Sequence, residues 1–273
     1  MSMAEKLLLL LSRKPGTADY RNCSREWSVE GALAILRNAF PGFLQSIKGM
    51  DILDYGCGAG YQVISLANNG ARHVLGIDQN YKALEKAQRL ALETNVHDRV
   101  EFAEQLKEKH RNQFDFVISQ NSMEHYPDPA AALEQMKSAL KPNGQILITF
   151  GPPWFSPYGS HMHFFTKVPW VNLLFPEKVV MNVRKNFRQD GATRYEDVES
   201  GLNRMTVAKF GSILSGSGLK VVYQNYNCVK SIGVLGRIPV LRELFINQIS
   251  CVLTRCSNIG KRPMGRTPCD GLP

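Results

Sequence analysis

Three glycines at alternate positions follow a short apolar segment near residue 50. Residues 52–60 read Ile-Leu-Asp-Tyr-Gly-Cys-Gly-Ala-Gly. Glycines permit left-handed backbone and let the main chain approach a ligand closely, and the start of a following helix favours an anion or a polar acceptor group. The pattern therefore predicts a strand, a ligand-binding turn and a helix. Tyr61 stands where the Gly-x-Gly-x-x-Gly spacing of dinucleotide-binding proteins would continue, so we do not expect a nicotinamide site.

A carboxylate follows at the end of the next apolar segment. Gly76-Ile-Asp78 closes that segment about 20 residues past the glycine loop, a spacing at which an acid accepts hydrogen bonds from both hydroxyls of a ribose. The loop and Asp78 together predict a site for a ligand that contains a nucleoside.

Two further segments carry side chains able to move protons. Glu124 and His125 come just after the fourth predicted strand, and Gly151-Pro-Pro-Trp-Phe-Ser-Pro-Tyr-Gly-Ser-His-Met-His163 follows the fifth. Because histidine titrates near neutral pH, it can accept a proton from a hydroxyl nucleophile. We predict His161 as the first candidate for a general base and His125 as the second; a hydrogen-bonded structural role is the alternative for each. The side chains predicted around the acceptor are Glu124, Trp154, Tyr158 and His163.

Apolar runs alternate with helical patterns, which is typical of α/β proteins with a parallel sheet. The predicted strands are 50–55, 73–78, 99–103, 114–119, 144–150, 219–224 and 249–254. The predicted helices are 60–69, 80–93, 129–140 and 206–217. A turn is predicted at 141–144 from Lys-Pro-Asn-Gly. The fold class predicted is α/β, a doubly wound and mainly parallel seven-stranded sheet with helices on both faces.

The segment after strand five interrupts this alternation. It is rich in proline and aromatic residues, and we interpret it as an inserted lid over the carboxyl edge of the sheet. The predicted organisation is an N-terminal helical section at 1–47, a ligand-binding core at 48–150, the lid at 151–205, a part completing the sheet at 206–256 and a flexible basic tail at 257–273.

The stretch from 48 to 150 resembles the class I S-adenosylmethionine-dependent methyltransferases, which have a seven-stranded Rossmann-like sheet. The family's Asp-x-Gly-x-Gly-x-Gly loop matches residues 54–60, and its ribose-binding acid matches Asp78. The resemblance implies S-adenosyl-L-methionine as the cofactor. The implied cofactor-binding residues are Asp54, Gly56, Cys57, Gly58, Gly60, Asp78, Gln79, Glu104 and Gln120.

A second motif refines the resemblance. Met-Glu-His-Tyr-Pro-Asp-Pro129 resembles the Glu-His-Val-Pro-Asp-Pro stretch of small-molecule methyltransferases, including quinone-pathway O-methyltransferases. Some of these bind a metal through Glu, Glu and His. Here Asn121 replaces the first Glu, so we expect no metal.

Composition narrows the class of protein. The chain has 273 residues, of which 44% are hydrophobic and 21% charged, which excludes collagen, coiled coils and disordered tails. Its net charge is +9, concentrated in residues 206–273.

Six cysteines without a Cys-x-x-Cys pair argue against a zinc site and favour reduced thiols and a cytoplasmic location. Residues 3–13 predict a short amphipathic helix, packed in the core or lying at a surface.

We therefore expect methyl transfer to a small, partly apolar acceptor, at oxygen in preference to nitrogen or carbon. Two alternatives remain open: an RNA or protein methyltransferase that uses the basic C-terminal quarter, and a non-catalytic interaction module of the same fold. No recognised RNA-binding motif supports the RNA alternative, so the sequence favours a small-molecule partner over nucleic acid. Residues 168–175 and 232–245 are compatible with a lipophilic ligand or with peripheral membrane contact. The sequence indicates neither the acceptor's identity nor an oligomeric state.

Overall fold

The structure is a computed structural model, and it describes residues 1–16, 28–198, 200–229, 238 and 241–256. The strands are β1 (Asp51–Tyr55), β2 (His73–Ile77), β3 (Val100–Ala103), β4 (Phe114–Gln120), β5 (Leu140–Phe150), β6 (Leu219–Cys228) and β7 (Ile246–Arg255). The helices are α1 (Met3–Leu10), α2 (Ala34–Ala39), α3 (Phe43–Ser46), α4 (Tyr61–Asn68), α5 (Tyr81–Glu93), α6 (Pro129–Ala139), α7 (Val171–Leu174), α8 (Glu177–Arg184) and α9 (Val207–Gly216).

All seven strands form one sheet in the order β3-β2-β1-β4-β5-β7-β6. The first five strands pair in parallel, and β7 pairs antiparallel with both β5 and β6. The order reverses between β1 and β4, which is where open α/β sheets bind ligands at their carboxyl edge. The predicted fold class, an α/β protein with a mainly parallel seven-stranded sheet, is confirmed.

Buried residues on the two faces of the sheet explain why these strands form. Neighbouring residues of one strand point to opposite faces, so Ile52 packs with α2, α3 and α4 while Leu53 packs with α6 and α9. Val117 and Ile118 divide between the two faces in the same way. Apolar residues in succession are what a strand covered on both faces requires.

The predicted lid segment has an apolar cluster of its own. Its members come from α1, α7, α8 and the intervening turns: Leu8, Met162, Phe164, Phe165, Val171, Val180, Met181, Val183, Phe187, Ala192, Tyr195 and Leu202. Leu8 is the buried residue of α1, whereas Met3, Leu7, Leu10 and Leu11 are exposed. Leu9 packs against the same cluster, and Asn182 donates a hydrogen bond to Glu5 at 2.7 Å. The N-terminal helix therefore attaches to the segment 151–205 along one side and exposes its other apolar residues.

Strand boundaries differ most from the prediction at the start of β5, the end of β6 and the start of β7, which is Ile246 and not 249. β5 begins at Leu140 because that buried residue pairs with Phe114. The next pairing joins Phe116 to Gln145, so the predicted turn at 141–144 is a bulge within the strand and not a break before it. β6 runs on to Cys228 because its pairing with β7 extends to Ile246. The predicted tail at 257–273 and most of residues 230–240 lie outside the described residues.

Gly60, in the loop after β1, and Gly42, just before α3, together test how tightly that loop is packed. Gly60 and Gly42 both have left-handed backbone, with φ of 77° and 86°. A Cβ at Gly60 would lie 2.6 Å from the Cβ of Ala87, whereas one at Gly42 would meet nothing within 4 Å. We expect Gly42→Ala to lower the free energy of unfolding by about 1 kcal/mol through backbone strain alone. We expect Gly60→Ala to lower it by about 3 kcal/mol because overpacking adds to that strain. Urea unfolding measures both, and equal losses would contradict the packing described here.

Candidate active site

A cavity of about 990 Å³ opens at the carboxyl edge of the sheet, beside the ends of β1 and β4. This is the crevice at which the strand order reverses. Of the predicted cofactor residues, Gly56, Gly58, Asp78, Gln79 and Glu104 line it. Both predicted bases, His125 and His161, line the same cavity. The structure thus brings the glycine loop and the two imidazoles into one space.

The Asp78 carboxylate holds the glycine loop in place. Its Oδ2 accepts a hydrogen bond from the backbone N–H of Gly58 at 2.7 Å, and its Oδ1 accepts one from Asn80 at 2.8 Å. A carboxylate has about four lone-pair positions, so both oxygens retain capacity for a ligand's hydroxyls. Gly58 is open to the cavity, since a Cβ there would meet nothing within 4 Å.

Asp54 lies beneath the loop and is buried. Its Oδ1 accepts a hydrogen bond from Gln62 at 2.8 Å, and its Oδ2 has no partner among the described residues. Burial raises the pKa of Asp54 to about 7, with the nearby Asp78 as a further cause. A bound ligand that brings positive charge or an N–H donor near this carboxylate would stabilise its ionised form.

Three other predicted cofactor residues do not line the cavity. The Cys57 thiol packs beneath the loop, where a Cβ at Gly76 would lie 2.8 Å from its sulfur, and burial raises the pKa of that thiol. Gly60 begins α4. Gln120 ends β4 with its Oε1 buried and without a partner among the described residues. These residues shape the site from behind its surface.

Tyr126 joins the ends of β1 and β4, and the sequence reasoning missed it. Its hydroxyl donates to the backbone oxygen of Tyr55 at 2.7 Å and lies 3.0 Å from Ser119 Oγ. Its side chain lines the cavity, and burial raises its pKa. The tyrosine follows Glu124-His125 directly, so that motif was the signal that could have identified it.

His125 is held in one tautomer by the backbone. Its Nδ1 lies 2.7 Å from the carbonyl oxygen of Gly201. Because a carbonyl oxygen only accepts, Nδ1 carries the hydrogen, and the neutral ring keeps a lone pair on Nε2. His125 therefore has a basic nitrogen while its other nitrogen is fixed.

His161 lies beside it, with the two ring centroids 5.3 Å apart. Its ring makes a hydrogen bond with the backbone of Pro152, and its Nε2 is buried without a partner among the described residues. Desolvation by burial, with a smaller contribution from His125, lowers the pKa of His161 to about 3. His161 is therefore neutral at physiological pH and has a low affinity for protons.

The four predicted acceptor residues lie outside the cavity lining. Glu124 is buried and accepts a hydrogen bond from the backbone N–H of Gly151 at 3.1 Å, which joins the ends of β4 and β5. Trp154 packs edge-on against Tyr195. Tyr158 is partly exposed, and the ring of His163 lies 6.4 Å from it. In a segment without regular structure, spacing does not indicate which face a side chain occupies, and this is why sequence reasoning missed the lining.

Other side chains of the lid segment line the acceptor end. Its apolar residues are Met162, Phe164, Val198 and Leu202, and its cations are Arg184 and Arg188. Arg184 pairs with Asp190 through both carboxylate oxygens. The Arg188 guanidinium lies over the Phe164 ring, 4.9 Å from its centroid. Across the described ranges, no three His, Cys, Asp or Glu side chains converge as metal ligands.

Comparison with known proteins finds a family model and several relatives that match part of this chain. Residues 46–151 match the family model described as a methyltransferase domain. The ubiquinone biosynthesis O-methyltransferase of Neisseria meningitidis is 34% identical over 139 residues, which are 47% of this chain and 58% of that protein. The protein of the same name from Escherichia coli is 31% identical over 159 residues, 54% of this chain and 66% of that protein. The chain thus spans less than two thirds of these relatives.

Solved structures agree on the fold. An S-adenosylmethionine-dependent methyltransferase from Mesorhizobium loti superposes with a TM-score of 0.53 and 17% identity, covering 84% of this chain and all of that one. The cyclase SpnF superposes with a TM-score of 0.52 and 14% identity, covering 83% and 80%. At such identities the similarity establishes the fold and leaves the reaction to the site.

Asp78 offers a direct test of the cofactor half of the cavity. We expect Asp78→Ala to weaken binding of S-adenosylhomocysteine about 10- to 100-fold, because hydrogen bonds to a charged group contribute roughly 1.5–3 kcal/mol. Isothermal titration calorimetry measures the change. Asp98→Ala removes the same charge at an exposed position and should leave binding unchanged. Equal affinities of the Asp78 variant and the wild type would remove Asp78 from the site.

Proposed function

We infer that this chain, which carries a methyltransferase domain at residues 46–151 in the class I methyltransferase fold, transfers a methyl group from S-adenosyl-L-methionine to an oxygen of a small molecule. The observation that carries this inference is the single cavity lined by the glycine loop and Asp78 as well as by His125 and His161. A nucleoside-type site and imidazole bases in one space suit transfer between a cofactor and a second ligand. The name of the two relatives supports oxygen as the acceptor atom.

We propose that the cofactor contacts Gly56, Gly58, Asp78, Gln79 and Glu104. Asp54, Cys57, Gly60 and Gln120 would support that surface from behind. When bound, S-adenosyl-L-methionine supplies an electrophilic methyl group on a positively charged sulfur. Two observations support the fit of this cofactor to the cavity. Asp54 Oδ2 has no partner among the described residues, and a Cβ at Gly58 would meet nothing within 4 Å. Three carboxylates around this half of the cavity, Asp54, Asp78 and Glu104, suit a ligand that carries positive charge.

In the proposed reaction His125 is the general base. Its Nε2 would accept the proton of the acceptor hydroxyl, while the Gly201 carbonyl holds Nδ1–H. Burial lowers the pKa of His161, which we predicted first, to about 3, so His161 is a poor proton acceptor. We propose that its neutral Nε2 orients the acceptor by accepting a hydrogen bond. Most of the rate enhancement would come from holding the nucleophile in line with the methyl group.

The walls of the acceptor end support a partly apolar acceptor. Met162, Phe164, Val198 and Leu202 would exclude water and contact an apolar ring or chain. We propose that residues 151–205 serve as the lid of this cavity. An RNA or protein methyltransferase and a non-catalytic module are not favoured. The matching relatives are named for a small-molecule pathway, and the cavity is lined by Asp78 as well as by His125 and His161. A cytoplasmic location stays a prediction.

We also propose that α1 contacts an anionic membrane surface, where a lipophilic acceptor would be found. Four apolar side chains of this region are exposed: Met3 (87%), Leu7 (50%), Leu10 (80%) and Leu11 (49%). Exposed apolar side chains together with Lys6 are typical of helices that lie in a membrane interface. Among the residues that the structure describes, none of the helices has the length and apolar character needed to span a membrane.

His125→Gln tests the reaction and the base together. With the wild type, we expect mass spectrometry to detect O-methylated products from a panel of hydroxylated aromatic compounds with and without alkyl chains. We expect kcat to fall about 10²- to 10³-fold in the variant, because that is the typical contribution of a general base. Binding of S-adenosylhomocysteine should not change. Binding of this cofactor product by the wild type without turnover of any hydroxyl acceptor would contradict methyl transfer to oxygen.

The double variant Leu7→Ser/Leu10→Ser tests the membrane contact. We expect the wild type to sediment with vesicles that contain phosphatidylglycerol, and the variant to remain in the supernatant, because it loses two exposed apolar side chains. Leu92→Ser is the matched control, since Leu92 is 60% exposed on α5. Equal sedimentation of all three proteins would rule out the proposed role of α1.

A further inference from the structure

Asn203 joins the end of the lid segment to the loop after β4. Its backbone N–H donates to the carbonyl oxygen of Glu124 at 3.0 Å. Its side-chain Nδ2 donates to the carbonyl oxygens of Met123 and Tyr126, each at 2.8 Å. Since carbonyl oxygens only accept, the two side-chain contacts identify the amide nitrogen, Nδ2, as the donor. One asparagine therefore binds three backbone carbonyls within four residues.

The residue between those carbonyls is His125. The loop that Asn203 holds carries this imidazole, and the imidazole itself donates Nδ1–H to Gly201, two residues before Asn203. Gly201 has a φ of 65°, and a Cβ there would lie 3.3 Å from the His125 carbonyl oxygen. The two segments are thus in close contact along their backbones. A displacement of either one would remove the acceptor of the Nδ1 hydrogen.

The same loop also reaches the cofactor half of the cavity. The Tyr126 hydroxyl donates to the Tyr55 carbonyl, next to the first glycine of the loop. A Cβ at Gly56 would lie 2.6 Å from Ser122 Oγ. Asn203 therefore acts on a loop that is packed against the glycine turn on one side and against the lid on the other.

We propose that Asn203 is a positioning residue that holds His125 against the Gly201 carbonyl and thereby keeps the Nε2 lone pair available to the acceptor. The catalytic consequence rests on the proposed function; the effect on the tautomer does not. Asparagine suits this role because its two N–H donors match the two carbonyls. Aspartate has the same size and no donors, so it would place oxygen against oxygen.

Asn172 provides a matched control. Its Nδ2 donates to the Trp154 carbonyl at 2.9 Å, and its Oδ1, like that of Asn203, is buried without a partner among the described residues. Asn172 does not line the cavity. Asn172→Asp thus makes the same chemical change in the same segment, away from His125.

The experiment is ¹H–¹⁵N spectroscopy of the imidazoles in wild type, Asn203→Asp and Asn172→Asp, with the His125 signals assigned from His125→Gln. We expect the Nδ1–H tautomer of His125 in the wild type and in Asn172→Asp. We expect a shift towards the Nε2–H tautomer in Asn203→Asp. An Nε2–H tautomer in the wild type would overturn the proposal, and this outcome does not depend on the folding of Asn203→Asp.

Kinetics give the second readout. In Asn203→Asp we expect kcat to fall at least tenfold while the KM for the cofactor stays within twofold, whereas Asn172→Asp keeps the wild-type kcat. An unchanged tautomer and kcat in Asn203→Asp would refute the positioning role. If no acceptor is methylated by the wild type but the tautomer still changes in Asn203→Asp, the proposed function fails and the positioning role stands.

Discussion

The close packing of the glycine turn against the loop after β4 is the constraint on which the site depends. No side chain fits at Gly56, because a Cβ there would lie 2.6 Å from Ser122 Oγ and 2.9 Å from the Tyr126 hydroxyl. The Tyr126 hydroxyl then donates to the carbonyl of Tyr55. The glycine turn and the loop that carries His125 are therefore held at a distance set by van der Waals contact and one hydrogen bond. This is how two segments about 70 residues apart come to line one cavity.

The buried ionisable groups of the site differ in what compensates for their burial. Asp54 has one hydrogen-bond donor, Gln62, and its pKa rises to about 7. Glu124 receives the Gly151 N–H, and burial still raises its pKa. His161 avoids the cost of a buried charge by staying neutral. Burial of these ionisable groups is therefore only partly compensated by hydrogen bonds. This is typical of a surface shaped for a ligand.

The segment between β5 and α9 has two roles that meet at one residue. Its apolar cluster with α1 gives it a core of its own. Gly201 and Asn203, near its end, form hydrogen bonds with the loop that carries His125. Leu202, the residue between them, is a buried member of the apolar cluster. Packing of the segment therefore helps to fix the backbone that aligns the imidazole.

The sequence by itself determined the α/β fold class and the place of the glycine turn and Asp78 in the chain. Apolar runs, the Gly-x-Gly-x-Gly turn and Asp78 are local signals, because each pattern lies within about 20 residues of chain. Only the tertiary structure decided which side chains of residues 151–205 line the cavity. Phe164 and Leu202 line it while Trp154 and Tyr158 do not, since the stretches that carry them have no periodicity that assigns a side chain to a face. The surroundings of His125 and His161 likewise depend on burial and on a carbonyl 76 residues away from His125, contacts that exist only once the chain has folded.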